Sequence, residues 1–127
     1  MNTPELFVRD DGGAPRLVGG YSPTSDAYHF PYSAVCPYSG ADDVERRLLS
    51  SEGTLWGWTA VTAAPPGYAG PIPYGFGVVE LSEGLRVITR LTEPDPARLS
   101  VGQPVHLVVE TIDAPDGETL EIYAFSP

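Results

Sequence analysis

The sequence predicts a mainly β protein whose C-terminal part closes into a small barrel, and three observations carry that expectation. Fourteen glycines and fourteen prolines in 127 residues break the chain into short segments, which suits strands and turns better than long helices. Tyr74 to Leu91 holds two runs rich in β-branched residues, Val78-Val79 and Val87-Ile88, separated at Leu81-Ser82-Glu83-Gly84. That is the pattern of a β-hairpin. Gly75 and Gly77 fall on one face of the first run, because side chains two apart in a strand point the same way. Glycine inside a strand marks a bend or the close approach of another backbone, so the sheet should curve strongly, and a barrel is its simplest closure.

The N-terminal part is less regular. Within Met1 to Gly20 only Arg16 to Val18 reads as a short strand or extended lead-in. Tyr21 to Gly40 carries four tyrosines, three prolines and Asp26 as its one charged residue, with no helical or strand period. It contains two small turns, Ser22-Pro23-Thr24-Ser25 and Cys36-Pro37-Tyr38-Ser39, in the layout of a zinc ribbon. Such a ribbon needs two thiolates from each knuckle to complete a tetrahedron around the metal. Here the four positions read Ser22, Ser25, Cys36 and Ser39, and a serine hydroxyl stays protonated near neutral pH. No zinc and no other cofactor is expected. Tyr21, Tyr28, Phe30, Tyr32 and Tyr38 are expected to hold the segment as an aromatic cluster, with partner docking as the alternative use of the same surface.

Ala41 to Glu52 supports two readings: a short helix capped by Asp42 or Asp43 with Val44, Leu48 and Leu49 on one face, or a linker followed by a short strand. Gly53 to Thr62 is a strand rich in Thr, Trp and Val. Ala63 to Pro73, with four prolines and two glycines, is a long loop carrying Tyr68 and Ile72 at its tip. Thr92 to Gln103 is a second loop, and the strands Pro104 to Ile112 and Thr119 to Phe125 follow, joined through Ala114-Pro115-Asp116-Gly117. Five strands in residues 53–127 predict a five-stranded OB-fold barrel, preceded in residues 1–52 by an N-terminal arm and a degenerate, metal-free zinc-ribbon-like segment with its linker.

Seventeen acidic residues against seven arginines and no lysine give a net charge of −10, which repels a phosphate backbone and argues against nucleic acid as a partner. Trp56, Trp58 and Phe76 offer stacking surfaces, but the surrounding groove lacks the cations that single strands require. The single cysteine cannot form an intrachain disulfide, and no apolar run reaches the roughly twenty residues of a membrane span. A soluble, cytoplasmic protein is expected.

The order of segments resembles a known family, the acyl-CoA-associated proteins built from a zinc ribbon and an OB-fold. The residues that carry the resemblance are Phe30-Pro31 before Cys36-Pro37, the entry Gly53-Thr54-Leu55, the run Tyr74-Gly75-Phe76-Gly77-Val78-Val79-Glu80-Leu81 with Glu83-Gly84, then Val101-Gly102-Gln103-Pro104-Val105 and the closing Phe125-Ser126-Pro127. Members of that family are accessory subunits of thiolases, acyltransferases and the retro-aldolases that shorten steroid side chains, with the partner supplying the nucleophile or base. This chain departs from the pattern at Ser22, Ser25 and Ser39, and it lacks the longer N-terminal helix of many members. The resemblance implies a non-catalytic subunit in a heteromeric assembly, α2β2 in the family's manner, that meets acyl-CoA through a thiolase-fold partner. Tyr28, Phe30, Tyr32, Tyr68 and Ile72 are the candidate partner contacts.

Independent catalysis is not expected. The available nucleophiles are Cys36 or a serine beside His29 or His106, and no third group is evident to orient the base. Arg86 and Arg90 share a strand face; they either pair with Glu80, Glu110 or Glu121 across the sheet or contact an acidic partner or a CoA phosphate. The alternative function is a free-standing OB module that binds a small ligand, a polysaccharide or single-stranded nucleic acid.

Overall fold

The computed structural model describes residues 6–66, 68, 70, 72–113 and 115–127. In order along the chain lie β1 (Phe7–Arg9), β2 (Pro15–Ser22), β3 (Ala27–His29), β4 (Glu45–Leu48), β5 (Glu52–Val61), β6 (Tyr74–Leu81), β7 (Arg86–Leu91), β8 (Pro104–Asp113) and β9 (Thr119–Ser126), with one 3-10 turn at Pro96–Arg98. The chain divides into two compact units, Met1–Ser51 with Leu81–Leu85, and Glu52–Glu80 with Arg86–Pro127. Among the described residues no helix is long and apolar enough to cross a membrane.

In the first unit β2 is the spine. β1 pairs with its first half (Phe7↔Leu17), β3 with its second (Tyr21↔Tyr28), and β4 with Val18 to Tyr21, all antiparallel. The short strand expected at Arg16 to Val18 is thus an eight-residue element with Leu17 and Val18 buried. Two glycines let it be packed closely: a Cβ on Gly19 would stand 2.7 Å from the His29 carbonyl, and one on Gly20 2.6 Å from His29 Nε2. Ala41 to Glu52 takes the strand reading, not the helical one. Pairing of Glu45 to Leu48 with β2 and full burial of Leu49 outweigh what a marginal twelve-residue helix offers. β3, inside a stretch that shows no strand period, is an element the sequence did not announce. The hairpin turn groups with this unit through Glu83, whose Oε2 accepts the Ser50 N–H at 2.9 Å and the Ser50 hydroxyl at 3.1 Å.

The second unit is a closed barrel in the order β5-β6-β7-β9-β8, the connectivity of an OB-fold. β6 and β7 form the expected hairpin, Gly75↔Leu91 through Glu80↔Arg86; β7 runs parallel to β9, and β8 returns to β5 at Glu52↔His106. Leu55, Val79, Val87, Leu91, Val105, Leu107, Ala124 and Phe125 fill the interior. The glycine expectation has a direct cause here. A Cβ on Gly77 would collide with the Gly57 carbonyl, and one on Gly75 with the Glu93 carbonyl, so strand curvature brings backbone where a side chain would stand. The loop after β7 is tied down by Asp95, which accepts the Ala97 N–H, and by Trp58, whose Nε1 donates to the Pro96 carbonyl at 3.0 Å.

β8 and β9 pair along their whole length, from His106↔Ser126 to Asp113↔Thr119. Their pairing with other described strands stops early, at His106 for β8 and at Ala124 for β9. In backbone pairing the distal half of this hairpin is therefore a two-stranded ribbon, tied at its base to β7 by Glu110, which accepts from Arg90 Nε at 2.8 Å, and by the Tyr123 hydroxyl, 3.5 Å from the Ile88 carbonyl.

Candidate functional site

The four knuckle positions do converge. Ser22 ends β2 and Ser25 sits in the turn that follows; Cys36 and Ser39 occupy a second turn closed by Gly40 N–H to Cys36 carbonyl (2.9 Å) and Cys36 N–H to Ala41 carbonyl (2.8 Å). Ser22 Oγ lies 3.4 Å from Ser25 Oγ, Ser25 Oγ lies 3.5 Å from Cys36 Sγ, and Ser25 and Ser39 share a short hydroxyl contact. The Ser25 hydroxyl pulls the Cys36 thiol down to about 7 against the opposing effect of burial, helped by the Ser39 hydroxyl and the N–H groups of Tyr38 and Ser39.

A carboxylate stands at the edge of this cluster. Asp43 accepts the Ser22 hydroxyl at 2.7 Å, the Thr24 hydroxyl at 2.6 Å and the Thr24 N–H at 2.9 Å. Those donors, Thr24 Oγ1 foremost and Ser22 next, hold its carboxyl at about 2. The first knuckle is thus pinned by hydrogen bonds to an anion. The donor set does not fit zinc: one thiol and three neutral hydroxyls supply a single anionic ligand where a structural site uses thiolates and imidazoles. Among the described residues no three His, Cys, Asp or Glu side chains come together as metal ligands.

His29 and Cys36 have different partners. The His29 ring is buried with Nε2 at 3.3 Å from both the N–H and the carbonyl of Ser33, whereas Cys36 Sγ meets the Ser25 hydroxyl. His106 is exposed on β8.

The predicted contact residues separate into two groups. Tyr28 is half-buried and tilted against Tyr21 at 4.8 Å, and Phe30 is half-buried. Tyr32 and Ile72 are exposed. The five-ring cluster expected of this segment does not form as such, because Tyr38 stands 65% exposed. From Pro31 to Gly40 every residue except Cys36 is exposed, and none is charged. Val35 and Tyr38, absent from the predicted contacts, are the most exposed large apolar groups of this loop.

Tyr68 is a clasp. Arg90 Nη1 donates to its hydroxyl at 2.9 Å and Arg90 Nε donates to Glu110 at 2.8 Å, with the guanidinium 4.8 Å from the Tyr74 ring centre and the two tyrosine rings 5.0 Å apart. Burial works against the Arg90 charge, but the Tyr68 hydroxyl and Glu110 outweigh it and raise its pKa above the ordinary value. Arg86 donates to Glu80 at 3.1 Å and covers the Trp56 ring at 3.7 Å. The ion pairs across the sheet are present, and the positions considered for a CoA phosphate hold guanidinium groups already matched by carboxylates.

Fold and site together define a class, an OB-type barrel following a unit in which Ser22, Ser25, Cys36 and Ser39 come together from two turns. Residues 46–110 match the family model described as ChsH2, C-terminal OB-fold domain. The chain belongs to this DUF35 OB-fold family. A DUF35 domain-containing scaffold protein of Pyrococcus furiosus is 31% identical over 110 residues, spanning 87% of this chain and 80% of that protein. The benzoylsuccinyl-CoA thiolase subunit BbsA of Thauera aromatica is 32% identical over 116 residues, spanning 91% and 78%. Among solved structures, the Ltp2-ChsH2(DUF35) aldolase superimposes with a TM-score of 0.67 at 27% identity, over 88% of this chain and 84% of the matched one.

Proposed function

We propose that this chain is a non-catalytic accessory subunit of a thiolase-fold enzyme that acts on acyl-CoA thioesters. The observation that carries the reading is the likeness to a thiolase subunit across 91% of the chain. The geometry supports it from the other side: Cys36 and His29 have separate partners, and the knuckle loop offers Tyr32, Val35 and Tyr38 on an uncharged surface of an otherwise acidic protein. In this reading Tyr32 and Ile72 meet the partner, while Tyr28, Phe30 and Tyr68 shape the surfaces behind them. The assembly is heteromeric with two copies of each subunit, it needs no zinc, and it takes no nucleic acid. The nucleophile or base belongs to the larger subunit.

The test is co-purification with each thiolase-fold protein of the source organism, followed by native mass determination and by acyl-CoA turnover with and without this chain. A complex of fixed stoichiometry whose turnover depends on this chain is expected. A chain that stays monomeric beside all of them overturns the reading.

A further inference from the structure

We infer that the projecting half of the β8–β9 hairpin is a docking arm, and that it fits a surface of the thiolase-fold subunit with an apolar centre and a basic rim. This rests on the function proposed above. No residue from Val108 to Asp113 or from Thr119 to Tyr123 is buried, although Val105, Leu107, Ala124 and Phe125, in the same two strands, are. Beyond the barrel the two strands pair with each other alone among the described strands. Glu110 and Tyr123 tie the base of the ribbon to Arg90 and Ile88 of β7; beyond them a two-stranded ribbon is marginal in water, so strands of ten and eight residues are longer than closure of the barrel requires.

The ribbon's chemistry says what would cover it. Ile112 lies directly opposite Leu120, which is 50% exposed, and Ile122 lies two residues further along the same face. Asp113, Asp116 and Glu118 stand at the turn end of this strip with no basic residue among residues 111–120, while Glu110 is already matched by Arg90. An exposed leucine beside half-buried isoleucines, next to the carboxylates at the turn end, has the layout of an interface anchor with a charged rim. Carboxylates of one sign call for arginine or lysine on the other surface, which would steer association and be screened by salt.

The experiment uses the full chain and each thiolase-fold protein of the source organism, purified separately and titrated at low and high salt. In the first variant Thr111 is joined to Glu121 by Asn-Gly, a two-residue turn between residues that already face each other. The trimmed chain should keep its unfolding transition and bind the partner at least about 100-fold more weakly. Leu120→Glu should weaken binding about 10-fold or more without altering the fold, and it decides the matter if the trimmed chain does not fold. Asp113→Lys with Asp116→Lys and Glu118→Lys should slow association and remove its salt dependence. If the unaltered chain binds and the trimmed chain or Leu120→Glu binds equally well, the arm is refuted while the accessory role stands. If the unaltered chain binds none of these proteins, the accessory role fails and the arm with it.

Discussion

The barrel and the knuckle unit solve the same problem, holding tightly curved chain in place, by different physics. The barrel does it with apolar volume: Phe125, Leu55 and Val79 are almost wholly removed from water, and glycine lets backbone pass where a side chain would collide. The knuckles have little such volume. Cys36 is their one buried residue between Tyr32 and Gly40, and Ser22, Ser25, Ser39, Thr24 and Asp43 are linked by hydroxyl and carboxylate hydrogen bonds. The cluster thus keeps its form with three neutral hydroxyls at its centre, because one carboxylate outside it takes up the donors of Ser22 and Thr24. Cohesion in the first case is insensitive to pH, and in the second it depends on the state of titratable groups.

The largest expected effect therefore lies in the barrel. Phe125→Ala should cost about 3–5 kcal/mol, since it removes the largest fully buried side chain and leaves a cavity that rigid strands cannot close. Urea unfolding followed by the fluorescence of Trp56 and Trp58 measures it, and a loss under about 1 kcal/mol would mean that the interior is not close-packed. Gly77→Ala comes next. Its methyl would overlap the Gly57 carbonyl, so a destabilisation of about 1–3 kcal/mol is expected from forced backbone movement, and an unchanged midpoint would contradict the approach of β5 to β6.

Acid should reach the knuckles through Asp43. Its carboxyl is held at about 2 in the folded chain against an ordinary value of 3.8, so its contribution is complete above the ordinary value and fades as pH falls through the folded one. Asp43→Asn should be less stable than the unaltered chain at pH 6 and lose little more between pH 4 and 2, where the unaltered chain loses this contribution. Equal pH profiles for the two would show that the Ser22 and Thr24 hydroxyls do not depend on the anion.

How much of this was legible in the sequence follows from the same division. The five barrel strands could be read because their signals are local: alternation, β-branched runs, and turn residues such as Gly84 at φ 84. β3 could not, and β4 stood only as one of two open readings. Ala27–His29 is three residues long, and Glu45–Leu48 carries two arginines and a glutamate, so each is a strand because β2 offers an edge to pair with. The spacing of Ser22, Ser25, Cys36 and Ser39 gave the cluster away, since two tight turns with that interval bring the four side chains together. The exposure of Tyr38 and Leu120 did not show, because sequence marks a residue as apolar without saying whether another layer covers it. Alternation around Leu120 reads the same in a barrel wall and in a ribbon that runs past it.

The smallest effect on stability is the one that probes the cluster most directly. With its thiol at about 7 against an ordinary value of 9.0, Cys36 ionises more readily folded than unfolded. Its stabilising contribution is therefore absent below pH 7, grows as pH rises through that value, and is complete above 9. Thiolate absorbance in the ultraviolet should titrate with a midpoint near 7, and Ser25→Ala should move the midpoint upward because the Ser25 hydroxyl is the leading cause of the depression. A midpoint that stays in place after that substitution would assign the effect to the Ser39 hydroxyl and the backbone N–H groups of the second turn. That turn would then stabilise the thiolate by itself, without the first knuckle.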